Sequence, residues 1–128
     1  MRYVFDASVV LAILKREPGG DAWIAALDSS VISAVNVAEV ASGLIRHGVA
    51  RDQVGPVMAE LKLFVMPPDE DLAVQAGLLR AETDRAGLSL ADRFCLATAI
   101  RLGVPAVTAD RQWATVAEGT GVEVRLIR

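Results

Sequence analysis

Four acidic residues, Asp6, Glu39, Asp92 and Asp110, fall where the pattern of apolar runs predicts that the chain leaves one edge of a parallel sheet. Clustered hard oxygen ligands select Mg²⁺ or Mn²⁺, so the chemistry they suit is that of a divalent-metal site. Each acid also has a purely structural explanation. Asn36-Val37-Ala38-Glu39 and Ser89-Leu90-Ala91-Asp92 match the capping box, in which an acid at the third helical position returns a hydrogen bond to the cap. Asp6 is placed to cap the helix starting near Ser8, and Asp110 the short turn over 111–113. Capping does not explain why four carboxylates gather at one edge, where each close pair repels by about 1 to 4 kcal/mol. A bound cation removes that repulsion, and a cap leaves the second carboxylate oxygen free for it.

The elements that must hold these acids alternate between strand and helix. Strands are predicted over 3–6, 31–33, 63–66, 104–108 and 123–127. Between them the periodicity predicts helices over 8–16, 21–27, 36–47, 52–62, 72–85 and 90–102, punctuated by Pro18-Gly19-Gly20, Gly48, Pro67-Pro68, Gly87 and Gly103. Pro56 removes one hydrogen-bond donor inside the fourth helix. Such alternation implies an α/β fold with a mostly parallel sheet covered on both faces. Its chemistry belongs at the carboxyl ends of the strands, where Asp6 and Asp110 lie.

Other residue types are less informative. Ser8 suits helix capping or orienting a water or phosphate, but it has no plausible base to make it a nucleophile. Thr108 is in position to hydrogen-bond Asp110 or substrate. His47, the only histidine, rules out a multi-histidine metal site and complements a helix C-terminus. Cys95, the only cysteine, reads as buried packing and excludes an intrachain disulfide. Trp23 and Trp113 read as core residues rather than base-stacking platforms. Arg93 and Arg111 directly follow two of the acids and are candidates to hold phosphate.

Length and composition set the frame. A chain of 128 residues fits one domain, 1–128, and its 53% hydrophobic content exceeds what one small core requires, which points to an oligomer or partner interface. Net charge is −3, so bulk electrostatics argue against a nucleic-acid coat, yet 11 of the 13 basic residues are Arg, the side chain best matched to phosphate. Arg2 and the following apolar run lack a signal peptide's cleavage site, and no apolar stretch reaches membrane-spanning length. The expected location is the cytoplasm.

Val4-Phe5-Asp6-Ala7-Ser8, Ser33 to Val40, Leu88 to Ala97 and Val107-Thr108-Ala109-Asp110-Arg111 together resemble, in order and spacing, the four acidic motifs of PIN-domain ribonucleases. The branch most similar is the VapC-type toxin of bacterial and archaeal toxin–antitoxin pairs. The resemblance implies a three-layer α/β/α domain, usually a homodimer, that cuts RNA with Mg²⁺ or Mn²⁺, and a cognate antitoxin whose tail blocks the acidic pocket. It assigns Asp6, Glu39, Asp92 and Asp110 as metal ligands and catalytic residues, with Ser8 and Thr108 as supports. The expected reaction is phosphodiester hydrolysis by an activated water, without a covalent protein intermediate. The middle segment, 46–84, carries no diagnostic motif.

Other classes fit less well. A receiver-type phosphoacceptor needs a lysine on a late strand, and the only lysines are Lys15 and Lys62. A haloacid-dehalogenase-like phosphatase needs an acid two residues after Asp6, where Ser8 stands. The runner-up is a catalytically silent PIN fold that binds another protein.

Overall fold

β1 (Tyr3–Phe5) runs through the middle of a five-stranded sheet in the computed structural model, which describes residues 1–128. β2 (Ser30–Ser33) and β3 (Phe64–Met66) lie to one side, and β4 (Ala106–Thr108) and β5 (Val124–Leu126) to the other, giving the order β3-β2-β1-β4-β5. Every pairing is parallel; Val4, for example, stands opposite both Val31 and Ala106. The expected mostly parallel sheet is therefore wholly parallel.

Adjacent residues on a strand point to opposite faces, and here both faces are apolar. Val4, Val31 and Ala106 enter one core with Leu72, Ala76, Leu96 and Trp113. Phe5, Ile32 and Val107 enter a second core with Val9, Val10, Val40 and Leu44. Six consecutive-pair side chains thus glue helices to both sides, and the result is a three-layer α/β/α arrangement. α1 (Ala7–Lys15) and α2 (Ala34–Arg46) cover the second face, whereas α4 (Glu70–Leu78) and α6 (Leu90–Leu102) cover the first. α3 (Arg51–Glu60) buries no residue fully, so the carbonyl that Pro56 leaves unpaired can meet water. No helix is long and apolar enough to cross a membrane.

Boundaries differ from expectation in three instructive places. The helix expected over 21–27 is a 3₁₀ helix, Asp21–Ser29. The one expected over 72–85 starts earlier, capped by Asp69, whose carboxylate accepts from Leu72 N at 2.8 Å, and then breaks into α4, α5 (Arg80–Thr83) and a 3₁₀ turn, Asp84–Ala86. At the break the Leu79 carbonyl receives Glu82 N, Thr83 N and the Thr83 hydroxyl, which crowds and tightens the turn. After β4, a 3₁₀ helix, Arg111–Thr115, and α7 (Ala117–Thr120) lead into β5.

The strand order decides where a site can form. The chain builds β1, β2 and β3 outward on one side, then crosses to place β4 on the other side of β1. Connections leaving β1 and β4 diverge, opening a crevice at their carboxyl ends.

Candidate active site

Asp6 is the first residue after β1 and the N-cap of α1. Its backbone is extended, and the side chain turns back to accept from Val9 N at 3.2 Å. Two hydroxyls complete its shell: Ser8 Oγ donates to Oδ1 at 2.6 Å and Thr108 Oγ1 to Oδ2 at 2.6 Å. Asp6 as a whole is only 4% exposed. Burial pushes its pKa up to about 7, against the pull of those three hydrogen bonds, and the charge of Asp92 adds to the rise.

Ser8 and Thr108 also tie the ends of β1 and β4 together. Ser8 Oγ accepts from Ala109 N at 2.8 Å, and Thr108 Oγ1 accepts from Asp110 N at 3.0 Å. Ser8 therefore spends its proton on Asp6 and a lone pair on the main chain, a supporting role rather than a nucleophile's.

Asp92 sits at the third position of α6 in a complete capping box with Ser89: Ser89 N donates to Oδ2 at 2.9 Å, and Asp92 N to Ser89 Oγ at 3.2 Å. Burial, reinforced by the neighbouring charge of Asp110, raises its pKa. Asp110 caps the 3₁₀ helix after β4 by accepting from Gln112 N at 2.9 Å. Helix N-termini at Asp6 and Asp92 favour negative charge and offset part of the mutual repulsion.

The other capping box is not formed. β2 ends at Ser33, whose hydroxyl accepts from Val35 N, so α2 starts at Ala34 and Asn36 is already inside it. Glu39 is then in the second turn, free of the backbone. Asn36, fully buried, takes a different role: its Nδ2 donates to Glu39 Oε1 at 2.9 Å and to the Ala91 carbonyl at 3.2 Å. One side chain thus links the acid of α2 to the residue preceding the acid of α6. Its Oδ1 has no partner. The short spacing to Glu39 is visible in the sequence, but the contact with Ala91, 55 residues away, is not.

All four acids line one cavity of about 640 Å³, together with Ser8, Ser42, Gly43 and Arg46. They surround it rather than meet at a point: no three Asp, Glu, His or Cys side chains stand close enough to hold a metal ion by themselves. That arrangement does not suit zinc, which takes three or four preassembled protein ligands. It does suit Mg²⁺ or Mn²⁺, since Mg²⁺ keeps several waters and takes one or two carboxylates alongside substrate phosphates. The all-oxygen donor set of Asp6, Glu39, Asp92 and Asp110 fits such an ion.

Arg46 is the one cation lining the cavity; Arg93 and Arg111, which follow the acids in sequence, do not reach it. Cys95 is buried without a disulfide, its thiol pushed well up by burial and by Asp6, Asp92 and Glu39. His47 is exposed at the end of α2, Trp113 is in the core, and Trp23 packs edge-on against Tyr3 and Phe5.

The family model for the PIN domain matches residues 3–119. No curated protein matches the sequence. Among solved structures, a chain of DNA-bound VapBC from Salmonella typhimurium superposes with a TM-score of 0.76 at 18% identity, covering 100% of this chain and 99% of that one. A chain of VapBC2 from Rickettsia felis, bound to a promoter DNA fragment, gives 0.74 at 16%, with 98% of each chain covered. VapC20 from Mycobacterium tuberculosis, a sarcin–ricin-loop-cleaving toxin, gives 0.72 at 21%, covering 88% of this chain and 92% of that one. At these identities the likeness is one of fold.

Proposed function

The chain belongs to the PIN-domain family, and from that starting point we propose that it is a metal-dependent endoribonuclease acting as the toxin of a toxin–antitoxin pair. The observation that carries this reading is the convergence of Asp6, Glu39, Asp92 and Asp110 on one cavity at the switch point of the sheet. Asp6 and Asp92 would hold Mg²⁺ or Mn²⁺, with Asp110 and Glu39 completing the shell directly or through water. When bound, such an ion activates water and neutralises charge developing on phosphorus.

The chain's own residues have separable tasks. Ser8, Thr108 and the Val9 amide hold Asp6 in one orientation. The Ser89 capping box aims Asp92. Asn36 keeps Glu39 against the cavity with one oxygen committed, leaving the other to accept a proton from the attacking water. Neither Ser8 nor the buried Cys95 is needed as a nucleophile.

Two partners follow from the reading. The named VapBC structures are toxin–antitoxin complexes, which supports a cognate antitoxin for this chain. Val74 and Leu78, one turn apart on α4, are 55% and 71% exposed and are suitable for a homodimer or antitoxin contact. The cytoplasm, which holds both RNA and antitoxin, is the compartment proposed.

A second reading keeps the fold and drops the chemistry. Acids that surround a cavity without forming a shared shell would also suit a PIN-fold module that only binds protein. Incubating the protein with single-stranded RNA in Mg²⁺, and again with chelator, separates the two. Cleavage that depends on the metal and is lost in Asp6→Asn and Asp92→Asn supports the nuclease; intact RNA under every condition supports the binding module.

A further inference from the structure

Arg46 sits in the last turn of α2, beside four carboxylates, yet forms an ion pair with none of them. Its exposed guanidinium is free. Seven residues separate it from Glu39, which at 100° each brings both to within about 20° of the same helix face, roughly 10 Å apart along the axis. Ser42 and Gly43 fill the stripe between them, and all four line the cavity.

Gly43 keeps that stripe low. A Cβ there would meet Leu11 Cδ1 of α1 at 2.8 Å, so the absent side chain lets α1 and α2 approach and leaves a trough from Glu39 to Arg46. One end of the trough carries the acids; the other carries a planar fork suited to phosphate. A cation held by the acids would take one phosphate, and Arg46, about 10 Å further along the helix axis, is placed to meet a different phosphate of the same strand.

We propose that Arg46 holds a backbone phosphate of the bound RNA away from the scissile bond, so that the strand lies along α2. This rests on the ribonuclease reading above. Arg46 is a substrate-holding residue, and it also complements the negative end of α2, a role that any cation or a good helix former would largely preserve. The two roles separate by salt dependence, because a lost phosphate contact lowers the slope of log affinity against log salt and a lost helix-end charge does not.

The test is affinity for a short labelled single-stranded RNA, measured by fluorescence anisotropy in chelator across a KCl series, for wild type, Arg46→Gln and Arg46→Lys. Cleavage of the same RNA in Mg²⁺ and melting temperature are measured in parallel. Arg46→Gln is expected to keep its melting temperature and lose about 0.7 of the salt slope, so that its deficit against wild type shrinks about 2.6-fold between 50 and 200 mM salt. Arg46→Lys should retain the slope, and kcat should hold while KM rises in Arg46→Gln. Wild-type slope and affinity in Arg46→Gln would overturn the proposal while leaving the nuclease reading intact if wild type still cuts. RNA bound with an Arg46-dependent slope but never cut by wild type would defeat the nuclease reading and, with it, the placement of that phosphate relative to a scissile bond. No RNA binding by wild type overturns it.

Discussion

Asp6 makes the metal-free protein less stable as pH rises, and the size of that effect follows from its surroundings. Its pKa is raised from 3.8 to about 7, chiefly by burial. The folded state therefore binds a proton more tightly than the unfolded chain does. Stability from this group is fully present below about pH 4 and is lost as pH rises through about 7. Roughly three pH units at 1.36 kcal/mol each give a ceiling of about 4 kcal/mol, lost between acid and mildly alkaline solution. For a domain of this size that corresponds to a fall in melting temperature of the order of 10 °C. Asp6→Asn removes the titrating group, so its melting temperature should vary less with pH and exceed that of wild type at pH 8 in chelator. Mg²⁺ in excess should raise wild type at pH 8 and raise Asp6→Asn less, because the variant keeps Asp92, Asp110 and Glu39 but lacks the buried charge that gains most from the ion. Calorimetry of both proteins at pH 5.5 and pH 8, with chelator and with Mg²⁺, checks this, with about half of that ceiling, roughly 2 kcal/mol, expected between those two pH values. A wild type equally stable at both pH values in chelator, or an Asp6→Asn protein with the same pH profile, would refute the reasoning that burial strains this charge.

Asp92→Asn should abolish RNA cleavage without lowering metal-free stability, since Asn keeps an acceptor for Ser89 N and loses a charge repelled by Asp110; gel assays with thermal melts check both. Asn36→Ala removes the donor to Glu39 Oε1 and to the Ala91 carbonyl and is expected to destabilise by about 1 to 3 kcal/mol, with kcat falling more than KM rises, as denaturant titration and steady-state kinetics would reveal. Leu78→Glu places a charge on the exposed apolar stripe of α4 and should shift a dimer toward monomer in sedimentation while cleavage per subunit is retained.

Local chemistry accounts for what was legible along the chain. Apolar doublets such as Val4-Phe5, Val31-Ile32 and Ala106-Val107 announce strands buried on both faces, because each strand turns alternate side chains to opposite layers. The Ser89–Asp92 box is written within four residues and forms as expected. The same reasoning misplaced Asn36, since Ser33 and Asn36 both make good caps and only the end of β2 determines which one starts the helix. It also ran α4 through Leu79, where the Thr83 hydroxyl competes for the helix carbonyl.

The sequence alone therefore settles the alternation of elements, the all-oxygen character of the acids and their positions next to strand ends and helix starts, all set by short-range periodicity and capping. Tertiary structure decides what spans the chain: that Thr108 donates to Asp6 across 102 residues, that Asn36 reaches Ala91, and that Arg46, rather than Arg93 or Arg111, faces the acids. Those contacts depend on the strand order β3-β2-β1-β4-β5, and long-range packing, not local spacing, selects which side chains share a crevice.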